Sequence, residues 1–395
     1  MRLSAFYPGR GWAFHTAMAK RRSRHPHVPV IGLVAVLMVG IAHRPVYSQA
    51  RVIVPSAPTC SQCSIVLTPI LKIGEADGEG VIGRPRTVTR DRQGRHYAVF
   101  EEMRGTVSVF DARGRYVRTI GRSGGGPGEY MSIQMIHAKR GDTLLAFDPR
   151  NQRLTFILPT GQAVRSVRSI INPISLAELE SGDIVVSGHF PDANRIGYPL
   201  HLVDSTGEVT RSFGAETPVY GPGMFYQFQR YVAAARGSRV WASHHMQYVI
   251  ELWDTAGHRV LELVRQAAWF PPQTAQRQMT PSTPEYPTIR AIREDGQGRL
   301  WVLIRMNSPD YHQYLGEPIG SPEGPYYPIT DIDRVFMTRV EVIDVQTGRV
   351  YASGDATGIL LGFLGGDIIG YREDDGGVPR LVVWRAQITS SGGSR

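Results

Sequence analysis

One strand–turn–strand unit recurs along this chain at a nearly fixed spacing, and that recurrence limits the fold more than any other feature. A strand follows a turn glycine at Gly94 (Arg95–Phe100), Gly141 (Asp142–Phe147), Gly182 (Asp183–Ser187), Gly237 (Ser238–Ser243), Gly298 (Arg299–Ile304) and Gly366 (Asp367–Tyr371). A partner strand follows each, starting at Val107, Leu154, Leu200, Ile250, Val340 and Leu381. From turn glycine to partner strand is 13 residues in three copies (94 to 107, 141 to 154, 237 to 250). Five partner strands run into a turn that ends at Gly114, Gly161, Gly207, Gly257 or Gly348. In the clearest copy, Val107, Val109 and Val117 repeat with period 2, the pattern of a strand with one buried face. Asp111-Ala-Arg-Gly114 supplies turn chemistry between the strands, with Asp capping backbone and Gly accepting positive φ.

Six such copies predict an all-β fold, a six-bladed β-propeller of four-stranded antiparallel blades. A β-sandwich has no reason to keep an internal period. The last copy lacks an outermost strand, while Ile65–Ile73 reads as a strand with no partner before it. Pairing the two closes the ring with an N-terminal strand and removes two exposed edges. The expected organisation is a leader over residues 1–50, a linker over 51–64, the propeller over 65–390 and a disordered tail over 391–395.

The phrases VSVFDARGRYVRTIGRSGGGPGEY (from Val107) and AFDPRNQRLTFILPTGQ (from Ala146) resemble bacterial six-bladed propellers of the NHL-repeat-like type. Asp148-Pro-Arg-Asn151-Gln-Arg153 is similar to the Asp-x-x-Asn-x-Arg core of that repeat. The resemblance is strongest in the first two blades; later, His244-His245 stands where the Asp and Asn would be. It implies the fold, and a group whose members include binding scaffolds, lyases and lactonases, so it does not choose an activity.

The formal charge of +9 is unevenly placed. Residues 1–50 hold seven Lys/Arg and no Asp or Glu, so 37 basic residues face 35 acidic ones in the remainder, a net of +2. A nucleic-acid partner loses its support, because that needs a basic stripe on the folded domain. Lys20-Arg21-Arg22-Ser-Arg24, the apolar run Val28–Ala42 and Ser48-Gln49-Ala50 read as an export signal cleaved after Ala50, with Met18 an alternative start to Met1. An uncleaved anchor is the other reading, although 15 apolar residues are short of the ~20 that span a bilayer. Either way the expectation is an exported protein, periplasmic or extracellular, touching membrane only through its N-terminal segment.

Cys60 and Cys63 are the only cysteines, and in an exported chain a lone pair is expected as a disulfide. No second pair completes a zinc site, Ser64 replaces the His of a haem motif, and no thioredoxin-like context surrounds them. Gly121-Arg-Ser123-Gly-Gly125 matches G-x-S-x-G literally, but Gly124-Gly-Gly-Pro-Gly128 cannot begin the helix a nucleophile elbow needs. Phosphate, dinucleotide and calcium-loop motifs are missing, and no cofactor is expected.

The long segments, Gly121–Ser132, Val167–Ile174, His189–Tyr198, Phe213–Gln227, Gln266–Pro287 and Met306–Asp333, should all share one end of the ring. They are aromatic: Tyr220, Phe225 and Tyr226 in one, Trp269 and Phe270 in the next, Tyr311, His312, Tyr314, Tyr326 and Tyr327 in the longest. Such rings suit a carbohydrate, peptide or protein partner, or else pack the insertions onto the rim. Just past the second strands, polar residues face the channel mouth: Asp148, Arg150, His189, His244, His245, Arg305, Asn307 and Arg372. With Tyr226, Trp269 and Tyr311 these are the candidate ligand contacts of a non-catalytic binding scaffold. The alternative is a metal-dependent hydrolase or lactonase, for which Glu101, Asp148, Asp192 and Asn194 would have to converge.

Overall fold

The second and third strands of each repeat are apolar on both faces, so each sheet must be covered on both sides, and a ring of sheets does this. The computed structural model describes residues 50–390 apart from 56, 216–220, 222–224, 274, 321–323 and 375. It shows six four-stranded meanders. From the channel outward, blade 1 is Pro85–Arg90, His96–Phe100, Val107–Phe110 and Tyr116–Ile120. Blade 2 is Met135–Ala138, Leu144–Asp148, Arg153–Ile157 and Ala163–Arg168. Blade 3 is Asn172–Glu178, Ile184–His189, Leu200–Val203 and Val209–Phe213. Blade 4 is Arg230–Ala235, Arg239–His244, Val249–Trp253 and Arg259–Arg265. Blade 5 is Thr288–Glu294, Arg299–Asn307, Phe336–Asp344 and Arg349–Thr357. Blade 6 is Ile359–Leu364, Asp367–Glu373, Pro379–Ser390 and, from the other end of the chain, Cys63–Ile73. Among the described residues no helix is long and apolar enough to cross a membrane. The expected leader and tail lie outside the described residues, apart from Ala50.

The ring closes as the sequence predicts: Cys63–Ile73 runs antiparallel to the last strand, from Cys63↔Ser390 to Ile73↔Leu381. Gly114 shows how tight this seam is. Its φ is +78°, and a Cβ there would lie 2.3 Å from the Lys72 carbonyl oxygen of the closing strand.

Hydrophobic clusters fill the six clefts between adjacent blades. In blade 2, Leu144 and Ala146 pack against blade 1, while Leu145 and Phe147 pack against blade 3. This corrects the one-faced reading of the Val107 strand, which is buried throughout; Val117, on the outer strand, is 49% exposed. Hydroxyls stitch the same clefts: Thr89 accepts from the Ala138 amide, Ser187 from the Arg230 amide and Thr338 from the Leu360 amide.

Within the stretch expected as a linker, Ala50–Val54 forms a fifth strand on blade 4, parallel to Arg259–Arg265. The chain then crosses blade 5, where Thr59 and Cys60 amides donate to the Val350 and Tyr351 carbonyls, before entering blade 6. The Cys60–Cys63 disulfide is formed at that last step. A single N-terminal segment thus belts three blades.

Beneath the belt lies a buried ion pair. Arg265 Nε and Nη2 donate to the two Glu341 oxygens at 2.7 and 2.8 Å, Tyr248 hydroxyl donates to Glu341 at 2.7 Å, and Arg265 Nη1 donates to the Pro55 carbonyl at 2.6 Å. Both side chains are at most 3% exposed. Removing one partner strands a buried charge, so Glu341→Ala is expected to cost about 3–5 kcal/mol. Denaturant unfolding checks this; a loss below 1 kcal/mol would show that the pair does not join the belt to the core.

Candidate functional site

In these meanders the inner-to-second and third-to-outer turns share one end of the ring, and the remaining connections share the other. The first set is locked. At Asp91, Asp111, Asp204 and Asp295 one carboxylate oxygen accepts the amides two and four residues on, and the amide of the following glycine donates to the Asp carbonyl. The other end carries the described residues of 101–106, 121–134, 190–199, 214–229, 266–287 and 308–335. Val167–Ile174, expected among the long segments, shrinks to residues 169–171, because its ends extend the strands of blades 2 and 3.

The residue seven positions after the turn glycine stands at or near the long-loop end of the second strand in five blades: Glu101, Asp148, His189, His244 and Arg305. The chain occupies most of them with its own groups. Glu101 takes both oxygens to Arg86 Nη1, at 3.1 and 2.9 Å. Asp148, fully buried, accepts the Met131 and Ser132 amides at 2.8 and 3.1 Å and Asn151 Nδ2 at 2.8 Å. Asn151 also donates to the Gly124 carbonyl, and Arg153 to the Gly126 and Glu129 carbonyls. The Asp-x-x-Asn-x-Arg core is therefore a clamp on the glycine-rich loop, while Arg150 between its members is exposed.

His189 is half-buried, and burial holds its pKa below the usual value. His244 Nε2 lies 3.4 Å from Glu251. Burial lowers the His244 pKa, helped by Arg230. Burial alone would raise the Glu251 pKa, but contacts with His244, Arg230 and Arg259 overcome it and hold that carboxyl at about 2.

Other candidates brace the insertions. Asn307 accepts the Glu285 amide at 2.7 Å and donates to the Val335 carbonyl; Tyr311 hydroxyl donates to the Thr280 carbonyl at 2.8 Å. Arg372 pairs with Asp333 at 3.2 Å and lies over Trp384. Trp269 sits edge-on to Tyr248 and Phe270 under the Arg339 guanidinium, so it packs the rim. Tyr220 lies outside the described residues. The four residues a lactonase site would need are not assembled: Glu101 and Asp148 are held as above, and Asp192 accepts the Asn194 amide within its own loop. Among the described residues no three His, Cys, Asp or Glu side chains are placed to share a metal ion.

What the structure does bring together lies between blades 4 and 5. His245 stacks on Tyr226 (centroids 6.5 Å apart), tilts against Tyr231 (5.8 Å), and its Nδ1 lies 3.3 Å from the Ile289 carbonyl. That carbonyl can only accept, so Nδ1 carries the proton. Burial, with Arg290 nearby, holds this imidazole neutral with a pKa of about 4. Arg305 donates to Glu285 at 2.7 Å and covers the Phe336 ring at 4.8 Å. Arg290 covers Tyr231 at 5.5 Å. The sequence reading found Tyr226, His245 and Arg305 but missed Tyr231, Thr288 and Arg290, which belong to inner strands that it did not delimit.

A family model described as a 6-bladed beta-propeller matches residues 81–213, about blades 1 to 3. No curated protein sequence matches the chain. Among solved structures, a Bacteroides fragilis protein whose export is itself an inference is 12% identical with a TM-score of 0.51, covering 86% of this chain and 99% of its own. A DUF4221 family member from Bacteroides vulgatus is 12% identical with a TM-score of 0.53, covering 84% and 100%. The virginiamycin B lyase of Staphylococcus aureus, at 10% identity and a TM-score of 0.47, covers 81% and 99% and carries no argument about activity. Together with the sheet topology, the family match identifies the fold of the chain as a six-bladed β-propeller.

Proposed function

We propose that the protein is an exported binding scaffold that presents a ligand surface on the long-loop face of the propeller. One observation carries this reading. Among the described residues, the large apolar side chains that remain exposed fall on outer strands (Ile53, Val66, Ile70, Val117, Val164) or on the long-loop face (Val81, Met103, Met131, Ile319, Tyr326). None belongs to a tight turn, although Ile70 of the closing strand lies beside Arg92, Gly94 and Ala112 at the turns of blade 1. Apolar groups left in water and gathered mainly on the loops of one face are what a partner surface requires. Glu101, Asp148 and Asn307, which could have done chemistry there, are held by the chain's own groups, which supports binding over catalysis. A glycan and peptide array probed with residues 51–395 tests the reading. Met131→Ser with Tyr326→Ser is expected to weaken binding at least 10-fold at unchanged melting temperature, since truncating interface anchors commonly costs above ~1 kcal/mol each. Binding that ignores this pair but is lost on altering Arg113 and Arg92, at the tight turns, would reverse the assignment.

A further inference from the structure

Blades 1 and 5 carry the same construction with one residue exchanged. In each, the inner strand has a register shift, between Pro85 and Thr87 in blade 1 and between Ile289 and Ala291 in blade 5. The residue in the shift is an arginine both times, Arg86 and Arg290. In blade 1 the partner, seven residues after the turn glycine, is Glu101, which takes Arg86 by two hydrogen bonds. In blade 5 the equivalent position is Arg305. The internal carboxylate has become a second guanidinium. Glu285, from the preceding loop, neutralises Arg305 only, and Arg290 forms no ion pair among the described residues. Burial and the nearby Arg290 both depress the Arg305 pKa, so the two cations feel each other. Beside them, across the strand pair from Arg305, Thr288 Oγ1 is buried with no hydrogen-bond partner among the described residues. Tyr231, Tyr226 and the neutral His245 add aromatic surface without charge.

Resting on the binding reading above, we infer that this corner of the channel mouth takes the carboxylate of a small ligand, with Arg290 as its counter-ion and the Thr288 hydroxyl as an additional polar contact. The ligand carboxylate replaces the one that Glu101 supplies in blade 1. A guanidinium presents paired donors to a carboxylate, and half-buried surroundings strengthen that contact relative to water. A uronic acid and a peptide C-terminus share this chemistry.

Titration calorimetry of residues 51–395 at low ionic strength, with D-glucuronate, N-acetylglycine and neutral D-glucose, tests the inference. At least one carboxylate probe is expected to bind 10-fold or more tightly than glucose; glucuronate ahead of N-acetylglycine points to an acidic sugar, the reverse order to a peptide terminus. Arg290→Gln is expected to remove at least 10-fold of that affinity, Arg290→Lys to retain part of it, and both to melt like the parent. Carboxylates that bind no better than glucose, or equally well to Arg290→Gln, would overturn the inference. Array binding on the long-loop face would then still stand, so failure here is separable from failure of the broader reading.

Discussion

Shortening a residues 51–395 protein to residues 74–395 is expected to leave a protein that aggregates or loses most of its thermal stability. The deletion unpairs the strand that ends at Ser390 and strips blade 4 of its fifth strand. Val54, Ile73, Leu71, Ile65 and Leu67 leave the clusters of three blade clefts. At about 1.5–3 kcal/mol per buried side chain, the apolar loss alone is on the order of 10 kcal/mol. A typical domain has about 5–15 kcal/mol in total. Both unpaired edges are also templates for intermolecular pairing. Removing only residues 51–54 should be milder, because blade 4 keeps its four-stranded meander. Melting and light scattering distinguish the two; a residues 74–395 protein that melts like the parent would show that the ring does not depend on its N-terminal strand.

Acidification is the second large effect. His96, His201 and His245 are each at most 4% exposed, and burial first of all depresses each pKa to about 4. For His96 and His245 a neighbouring arginine, Arg90 or Arg290, opposes protonation further. A group whose folded pKa lies below its unfolded value near 6.5 stabilises fully above that value, and the contribution is lost as pH falls toward the folded pKa. By pH 5 each of the three has lost on the order of 2 kcal/mol of stability by that linkage. The melting temperature is therefore expected to fall by roughly 8 °C between pH 7 and pH 5. Carboxylates cannot cause this onset, since Glu251, held near 2, and the turn aspartates lose their contribution only below about pH 5. His96→Leu, similar in volume with nothing to protonate, should flatten the slope. A melting temperature constant from pH 7 to 5 would show that these rings protonate without cost.

The second strands, which follow a turn glycine, and the third strands, most of which run into one, were legible because both are buried on both faces, so that Leu144–Asp148 or Leu300–Ile304 is apolar almost without a break. The closing strand was legible by elimination, as an apolar run without a neighbour. Inner strands were not, because they border the channel and mix sequences such as PRTVTR and TIRAIRE. Ala50–Val54 was hidden for another reason: its partner, Arg259–Arg265, lies some two hundred residues later and pairs in parallel, which no local pattern announces. At the site, the positions after the second strands could be picked out, but not which were already occupied. The Met131 amide that fills Asp148 and the Glu285 that holds Arg305 come from loops whose paths the sequence leaves open.

The measurement that meets the central claim most directly is hydrogen exchange of residues 51–395 with and without the strongest binder from the array. Protection is expected in residues 101–106, 121–134, 266–287 and 308–335, together with the start of the blade 5 inner strand at Thr288–Arg290. The Asp-capped turns at residues 91–95, 111–115 and 204–208 should exchange alike in both states. Protection confined to those turns would contradict the account and place the binding surface on the opposite face of the propeller.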